Sequence, residues 1–265
     1  MKDSLRLLCI TVMLVLISVS SFQLGIISVR YLNEAQVKNE MQRFRPHLES
    51  LYFTNDQGLP LDTECSDIGF LVPAYNPSRY TGQTTEHIHS MQTMINEDIA
   101  GWLFIPNTRI DYPLVQAADN SFYLDKDVYK NYAKAGSLFI DYRCDQQLTA
   151  FNTIFYGHNM KNGSMFTDLR YFADYFFFST NPQGILALKD STYRMQPFAY
   201  LIADAADPVI YNPNAERGLF LEHAQSIAAI YSEPSEEFNI ATLSTCVSAG
   251  SGLRIVVLTL LIPIH

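Results

Sequence analysis

Three residues of this chain have the types and settings that thiol chemistry uses. Cys246 ends an apolar run, NIATLSTC, and precedes the small, flexible segment VSAGSG; a second apolar run then opens on Leu253-Arg254. If the two runs are strands paired antiparallel, the end of one lies beside the start of the other, and Cys246 meets Arg254 at one rim of a sheet. An arginine at the mouth of an otherwise uncharged run is costly unless it has a partner or a task. His158 stands where the run NTIFY gives way to a polar loop, a position suited to exchanging a proton with a ligand. On pattern alone the plainer readings are a buried cysteine beside a snorkelling arginine, and a solvated surface histidine.

The other candidates are weaker. Cys9 lies in an apolar N-terminal run. Cys65 sits between Glu64 and Asp67, and Cys144 near Asp141 and Asp145; negative neighbours disfavour the thiolate, so both read as structural. An extracytoplasmic compartment would permit a Cys65–Cys144 disulfide. His87 and His89 form a lone HxH pair, which binds metal only with further ligands.

The elements that would carry these residues are mostly strands. From Gly101 onward, GWLFI, RIDYPLVQ, AGSLFIDYR, FNTIFYGH, GILALK, TYRMQPFAYLIA, NIATLSTC and LRIVVLTLLI are short runs rich in β-branched and aromatic residues, several separated by turn residues. Eight strands predict a barrel or sandwich, interrupted by helices near 165–178 and 215–230. Upstream, Val37, Met41, Phe44, Leu48 and Leu51 form a helical stripe with Pro46 as a kink. Residues 54–82 read as a polar loop, and Ile88, Met91, Ile95 and Ile99 as a second helical stripe.

From Leu7 to Val29 no residue carries a formal charge, a stretch longer than the ~20 apolar residues that cross a bilayer as a helix. Ser18-Val19-Ser20 loosely resembles a signal cleavage site, but the apolar run continues past it. A retained signal-anchor is therefore expected at 1–29, with a helical and polar linker at 30–97, a β domain at 98–265 and the folded mass outside the cytoplasm.

Composition narrows the classes. Only 17% of the 265 residues are charged, against about 25% in soluble domains, which excludes a disordered acidic chain. A net charge of −9 argues against nucleic acid as a partner. Four cysteines without a CxxC pair indicate neither a disulfide scaffold nor a zinc site. The charge deficit extends beyond the apolar run into residues 137–265, where Arg254 is a rare cation.

At this point a family resemblance adds what spacing cannot. TLSTC (242–246), with Arg254 eight residues beyond the cysteine, resembles the catalytic end of a sortase, and YGHNMKNGSMF (156–166) resembles the histidine segment of class B sortases. GWLFIPNTRIDYPLVQ (101–116), DNSFYL (119–124) and AGSLFIDY (135–142) are similar to that class in the same order. The resemblance implies a mainly β fold, a closed eight-stranded sortase-type barrel with N-terminal helices and a helix before the cysteine strand. It implies a membrane-anchored cysteine transpeptidase that cleaves a C-terminal sorting signal and joins the protein to an amino group. By motif, Cys246 is the nucleophile, His158 the general acid/base and Arg254 the stabiliser of the reacting carbonyl. Asn120, Leu124, Ser244 and Thr245 fall at substrate-groove positions. Expected partners are sorting-signal-bearing proteins and a peptidoglycan-precursor amine; a pilin lysine as acceptor, a hydrolytic thiol peptidase and a non-catalytic surface module are the alternatives. No cofactor or metal is expected. One departure bears on specificity: many class B members follow the cysteine with acidic and aromatic residues, whereas this chain has VSAGSG.

Overall fold

The computed structural model describes residues 2–46, 48, 77–180, 183–234, 237–248 and 250–264. They divide into two compact units, Met1–Arg43 and Phe44–His265.

The first unit is a single helix, α1 (Lys2–Met41), followed by a 3₁₀ turn at Gln42–Phe44. It is long and apolar enough to cross a membrane by length and composition. The expected boundary at Val29 falls inside α1. The expected stripe from Val37 to Leu51 does not continue as one kinked helix. The residue before a proline is pushed out of the helical region, so the helix stops ahead of Pro46. Leu51 lies outside the described residues.

In the second unit Arg45 pairs with Asp111 at 2.8 Å and covers the Phe104 ring. Helix α2 (Pro77–Met94) buries Ile88 and Met91. Residues 77–82, expected in the loop, are helical; a proline suits the first turn because its missing N–H would have no partner there. Residues 54–76 and Cys65 lie outside the described residues, and Cys144 carries a free, buried thiol. The second stripe is split. The amides of Ile95 and Asn96 both close on the Met91 carbonyl, the Asn96 side chain accepts from the Asp98 amide, and Ile99 opens a strand. An asparagine that bonds locally to backbone in this way ends a helix.

Nine strands follow among the described residues: β1 (Ile99–Phe104), β2 (Asp111–Val115), β3 (Leu138–Ile140), β4 (Asn152–Tyr156), β5 (Gly184–Leu188), β6 (Thr192–Asp204), β7 (Ala228–Tyr231), β8 (Ile240–Cys246) and β9 (Leu253–Ile264). They are ordered β5-β1-β2-β3-β4-β8-β9-β6-β7, and a further β5–β6 pairing closes eight of them into a barrel. The ninth, β7, lies where the sequence predicts the end of a helix. That helix, α4, spans only Arg217–Ile227, capped by the Glu216 carboxylate on the amides of Gly218 and Leu219. Its continuation is claimed by β6. Strand β6 pairs with β5 as far as Met195 and with β7 from Ala199 onward, and the change of partner coincides with a register shift against β9 between Pro197 and Ala199. Bulges and prolines occur together where a strand bends away from one neighbour.

The helix expected at 165–178 is also two pieces, a 3₁₀ helix at Phe166–Ala173 and α3 (Tyr175–Thr180). Asp174 separates them, its carboxylate accepting from the Phe177 amide at 2.8 Å as an N-cap does.

Among the described residues one apolar layer fills the barrel and another covers it from outside. Inside are Leu103, Phe155, Ala241, Leu243, Val257 and the Phe166 and Phe172 rings. Outside, beneath α4, are Ile154, Phe198, Ile240, Val256, Leu258 and Phe220. Alternate residues of β8 and β9 serve opposite layers, so both strands are covered on both faces. That is why they read as near-continuous apolar runs.

Candidate active site

Strands β4, β8 and β9 lie side by side and deliver the three candidate chemical groups to one rim. Strand β8 pairs antiparallel with β9, Cys246 opposite Arg254. Strand β4 pairs parallel with β8, Tyr156 opposite Ser244, and His158 follows two residues later. Directly opposed residues share a face of a sheet. Cys246 and Arg254 therefore project on the side of Ser244 and Val256, away from the barrel interior. All three candidates are partly exposed, whereas the residues ahead of Cys246 in β8 are buried.

The turn from Cys246 to Arg254 is closed by the Val247 amide on the Leu253 carbonyl at 3.1 Å. Gly250 takes φ +76 within it, a conformation that favours glycine. Arg254 sends Nη1 to the carbonyls of Ser251 at 2.9 Å and Leu253 at 3.3 Å. Nε and Nη2 are left without a partner among the described residues.

His158 is set by its neighbours on both sides. A Cβ on Gly157 would fall 2.3 Å from Leu138 Cδ2 and 2.8 Å from the Phe166 ring, so only glycine lets the strand end approach the wall this closely. The His158 carbonyl accepts from the Phe166 amide. The ring Nε2 lies 2.7 Å from the Leu124 carbonyl. A carbonyl only accepts, so Nε2 carries the hydrogen, and Nδ1 is the nitrogen left to exchange a proton in the neutral ring.

The four groove candidates fall in distinct settings. Leu124 is 44% exposed and ends a 3₁₀ turn, Phe122–Leu124. Asn120 is engaged at both ends of its amide: Nδ2 donates to Asp141 at 3.0 Å, and Oδ1 accepts from the Tyr142 amide at 3.0 Å. Ser244 is buried, its hydroxyl 2.9 Å from the Tyr211 hydroxyl. Thr245 is buried on the interior face, its hydroxyl without a partner among the described residues.

Sequence reasoning missed the group that ties these elements together. Asp141, completely buried at the end of β3, accepts from Asn120, from Tyr156 at 3.1 Å and from Arg143 at 2.9 and 2.7 Å. Burial raises its pKa, but the bonds from Arg143 and Asn120 and the charge of Arg143 outweigh burial and hold it below the usual carboxylate value. Tyr156 stacks on Tyr211 at 6.2 Å. Burial pushes the Tyr211 hydroxyl up to about 12, so it stays protonated at neutral pH. A continuous polar and aromatic wall thus runs from Asn120 through Asp141, Tyr156 and Tyr211 to Ser244, two residues before Cys246. The available sequence signal was an aspartate closing the apolar strand LFI, a position that is costly without partners.

Known proteins are similar to this chain in sequence and in fold. Over 170 residues the chain is 35% identical to sortase B of Listeria monocytogenes, covering 62% of this chain and 69% of that protein. It is 29% identical to sortase B of Staphylococcus aureus over 177 residues, 64% of this chain and 72% of the relative. A structure of the Staphylococcus aureus sortase B-substrate complex superposes with a TM-score of 0.64 at 27% identity, covering 71% of this chain and 90% of that one. A Streptococcus pyogenes class B sortase involved in pilus biogenesis superposes at 0.61 with 29% identity, covering 65% and 96%. No protein-family model matches the chain.

Proposed function

The chain belongs to the class B sortases, cysteine transpeptidases acting on substrate peptides, and from that premise we propose that it is anchored by α1 and joins sorting-signal proteins to a cell-wall amine through a thioester on Cys246. The observation that carries this reading is the pairing of Cys246 with Arg254 across β8 and β9, with His158 at the end of the adjoining β4.

In the proposed reaction the Cys246 thiolate attacks the scissile carbonyl of the signal, and a tetrahedral oxyanion forms. The uncommitted Nε and Nη2 edge of Arg254 faces that oxygen. It contributes most as charge develops, so it favours the transition state over the bound substrate. His158, protonated, gives its proton to the departing amine as the C–N bond breaks and the thioester remains. The neutral ring then takes a proton from the acceptor amine, whose nitrogen forms the new amide as the thiolate leaves. The thioester conserves bond energy, so an amine competes with water.

Leu124 offers apolar contact at the groove, and its carbonyl holds the His158 ring. Asn120, Ser244 and Thr245 shape the groove from behind, Asn120 and Ser244 through Asp141 and Tyr211. Val247, partly exposed directly after the nucleophile, gives a small apolar lip in place of the acidic and aromatic residues that many members of the class carry there. The proposed domain boundaries are an anchor at 1–29, a linker at 30–97 and the catalytic barrel at 98–265. The barrel lies outside the cytoplasm at a Gram-positive cell surface.

The test is a panel of sorting-signal peptides offered with a peptidoglycan-type amine, a lysine-bearing pilin peptide or water alone, with products resolved by mass spectrometry. Amide product with the peptidoglycan-type amine supports the reading. Ligation only to the lysine peptide would make the enzyme a pilus polymerase, and hydrolysis unaffected by any amine would make it a peptidase.

A further inference from the structure

The parallel ladder between β4 and β8 ends with the Gly157 amide on the Ser244 carbonyl at 3.2 Å. One further rung would bring the Asn159 amide to the Cys246 carbonyl, two residues on along each strand. The backbone does not make it. At Asn159 the chain turns away and forms a bridge with Met165. The rung is supplied by a side chain instead: Asn159 Nδ2 donates to the Cys246 carbonyl at 2.9 Å and to the Val247 carbonyl at 3.2 Å.

The two hydrogens of one planar amide therefore fall on consecutive carbonyls, one on each side of the peptide bond that follows the nucleophile. The amide of that same peptide is held from the other strand, Val247 N–H to Leu253 O. Beyond it the chain continues through Ser248, Gly250, Ser251 and Gly252, residues too small to stiffen the turn by packing. Asn159 is also the neighbour of His158, so the contact joins the two chemical segments directly. We propose that Asn159 is a positioning residue of the transfer reaction. Its side chain acts as a rung that keeps the His158 strand end in register with Cys246 after the backbone ladder has opened to make room for the substrate. The proposal rests on the sortase reading of Cys246 and His158 given above.

Only a donor of this length can do this. Aspartate has the same shape but no hydrogen to give, and it sets a charge against two carbonyl oxygens. Serine is too short to reach both. Among the described residues the Asn159 side chain hydrogen-bonds to the Cys246 and Val247 carbonyls and not to Asn120, Leu124, Ser244 or Thr245, so its loss removes alignment and leaves those groove residues in place. A displacement on the order of 1 Å costs ~100-fold in rate.

The full chain in detergent micelles is compared with Asn159→Asp and Asn159→Ser on a signal peptide that the wild type cleaves, with Cys246→Ala as control. Hydrogen exchange is followed at the Val247 amide. Both Asn159 variants should lose at least about 10-fold in kcat with KM within about twofold of the wild type, and Val247 should exchange faster. Exchange and kcat unchanged in both variants would overturn the proposal. So would a loss carried wholly by KM, or a lowered melting temperature with full kcat per folded molecule. If the wild type cleaves no signal, or Cys246→Ala still does, the sortase reading falls; Val247 exchange then still decides whether Asn159 holds the turn.

Discussion

Replacing Asp141 with alanine removes a carboxylate on which the side chains of Asn120, Tyr156 and Arg143 converge. The bonds from Asn120 and Tyr156 are part-buried, and hydrogen bonds to a charged acceptor are worth about 1.5–3 kcal/mol each. At the lower figure the two give ~3 kcal/mol. The Arg143 side chain is 42% exposed and can turn to water, so its pair with Asp141 counts as a surface pair, ~1 kcal/mol. Relief of the buried charge returns part of this, leaving a loss of ~3 kcal/mol. At about 2–4 °C per kcal/mol for a unit of this size, the melting temperature should fall by roughly 6–12 °C at pH 7. The pH dependence has a definite sign. The folded carboxyl titrates below its ordinary value of 3.8, so its stabilisation is complete above that value and disappears as pH falls through the folded pKa. Scanning calorimetry of the wild type and Asp141→Ala at pH 7, and again below the usual carboxylate range, measures both. The gap should close in acid. Melting within about 2 °C of the wild type at pH 7, or a gap that widens in acid, would refute the reasoning.

Other perturbations separate chemistry from packing. Cys246→Ala should abolish both cleavage and transfer while shifting the melting temperature by less than about 2 °C, because the side chain ends a strand and is partly exposed. Arg254→Lys loses the planar fork opposite Cys246 and should reduce kcat by about 100- to 1,000-fold, the usual effect of removing an oxyanion donor. A mass-resolved single-turnover assay should show slow acylation in that variant. Gly157→Ala forces a methyl group against Leu138 and the Phe166 ring and should cost about 1–3 kcal/mol by overpacking, with kcat falling as His158 is displaced; denaturant titration checks the first and steady-state kinetics the second.

The parts legible in the chain are those where local chemistry and tertiary demand agree. All eight barrel strands appear in the sequence as apolar runs, because each must fill a layer inside, a layer outside, or both. The pairing of Cys246 with Arg254 follows from two such runs and a short glycine-containing connection. Where one element takes over another's residues, the reading slips. Ala228–Tyr231 continues a helical pattern, yet the free edge of β6 beyond Pro197 recruits it as a strand. Asn96 stops one helix and Asp174 starts another, each with a side-chain bond to a nearby amide, a local competition that apolar periodicity cannot register.

By itself, the order of residues determined an apolar N-terminal helix, eight strands of a barrel or sandwich, and the three strand ends bearing Cys246, His158 and Arg254. These rest on periodicity and on residue types that act within a few positions of each other. Tertiary structure alone decided that Asp141 anchors the wall, that the Leu124 carbonyl orients the His158 ring, and that Asn159 completes the ladder to Cys246. The partners in those contacts lie 15 to 87 positions apart. Hydrogen bonds act over about 3 Å, so only the closed barrel brings such partners within reach.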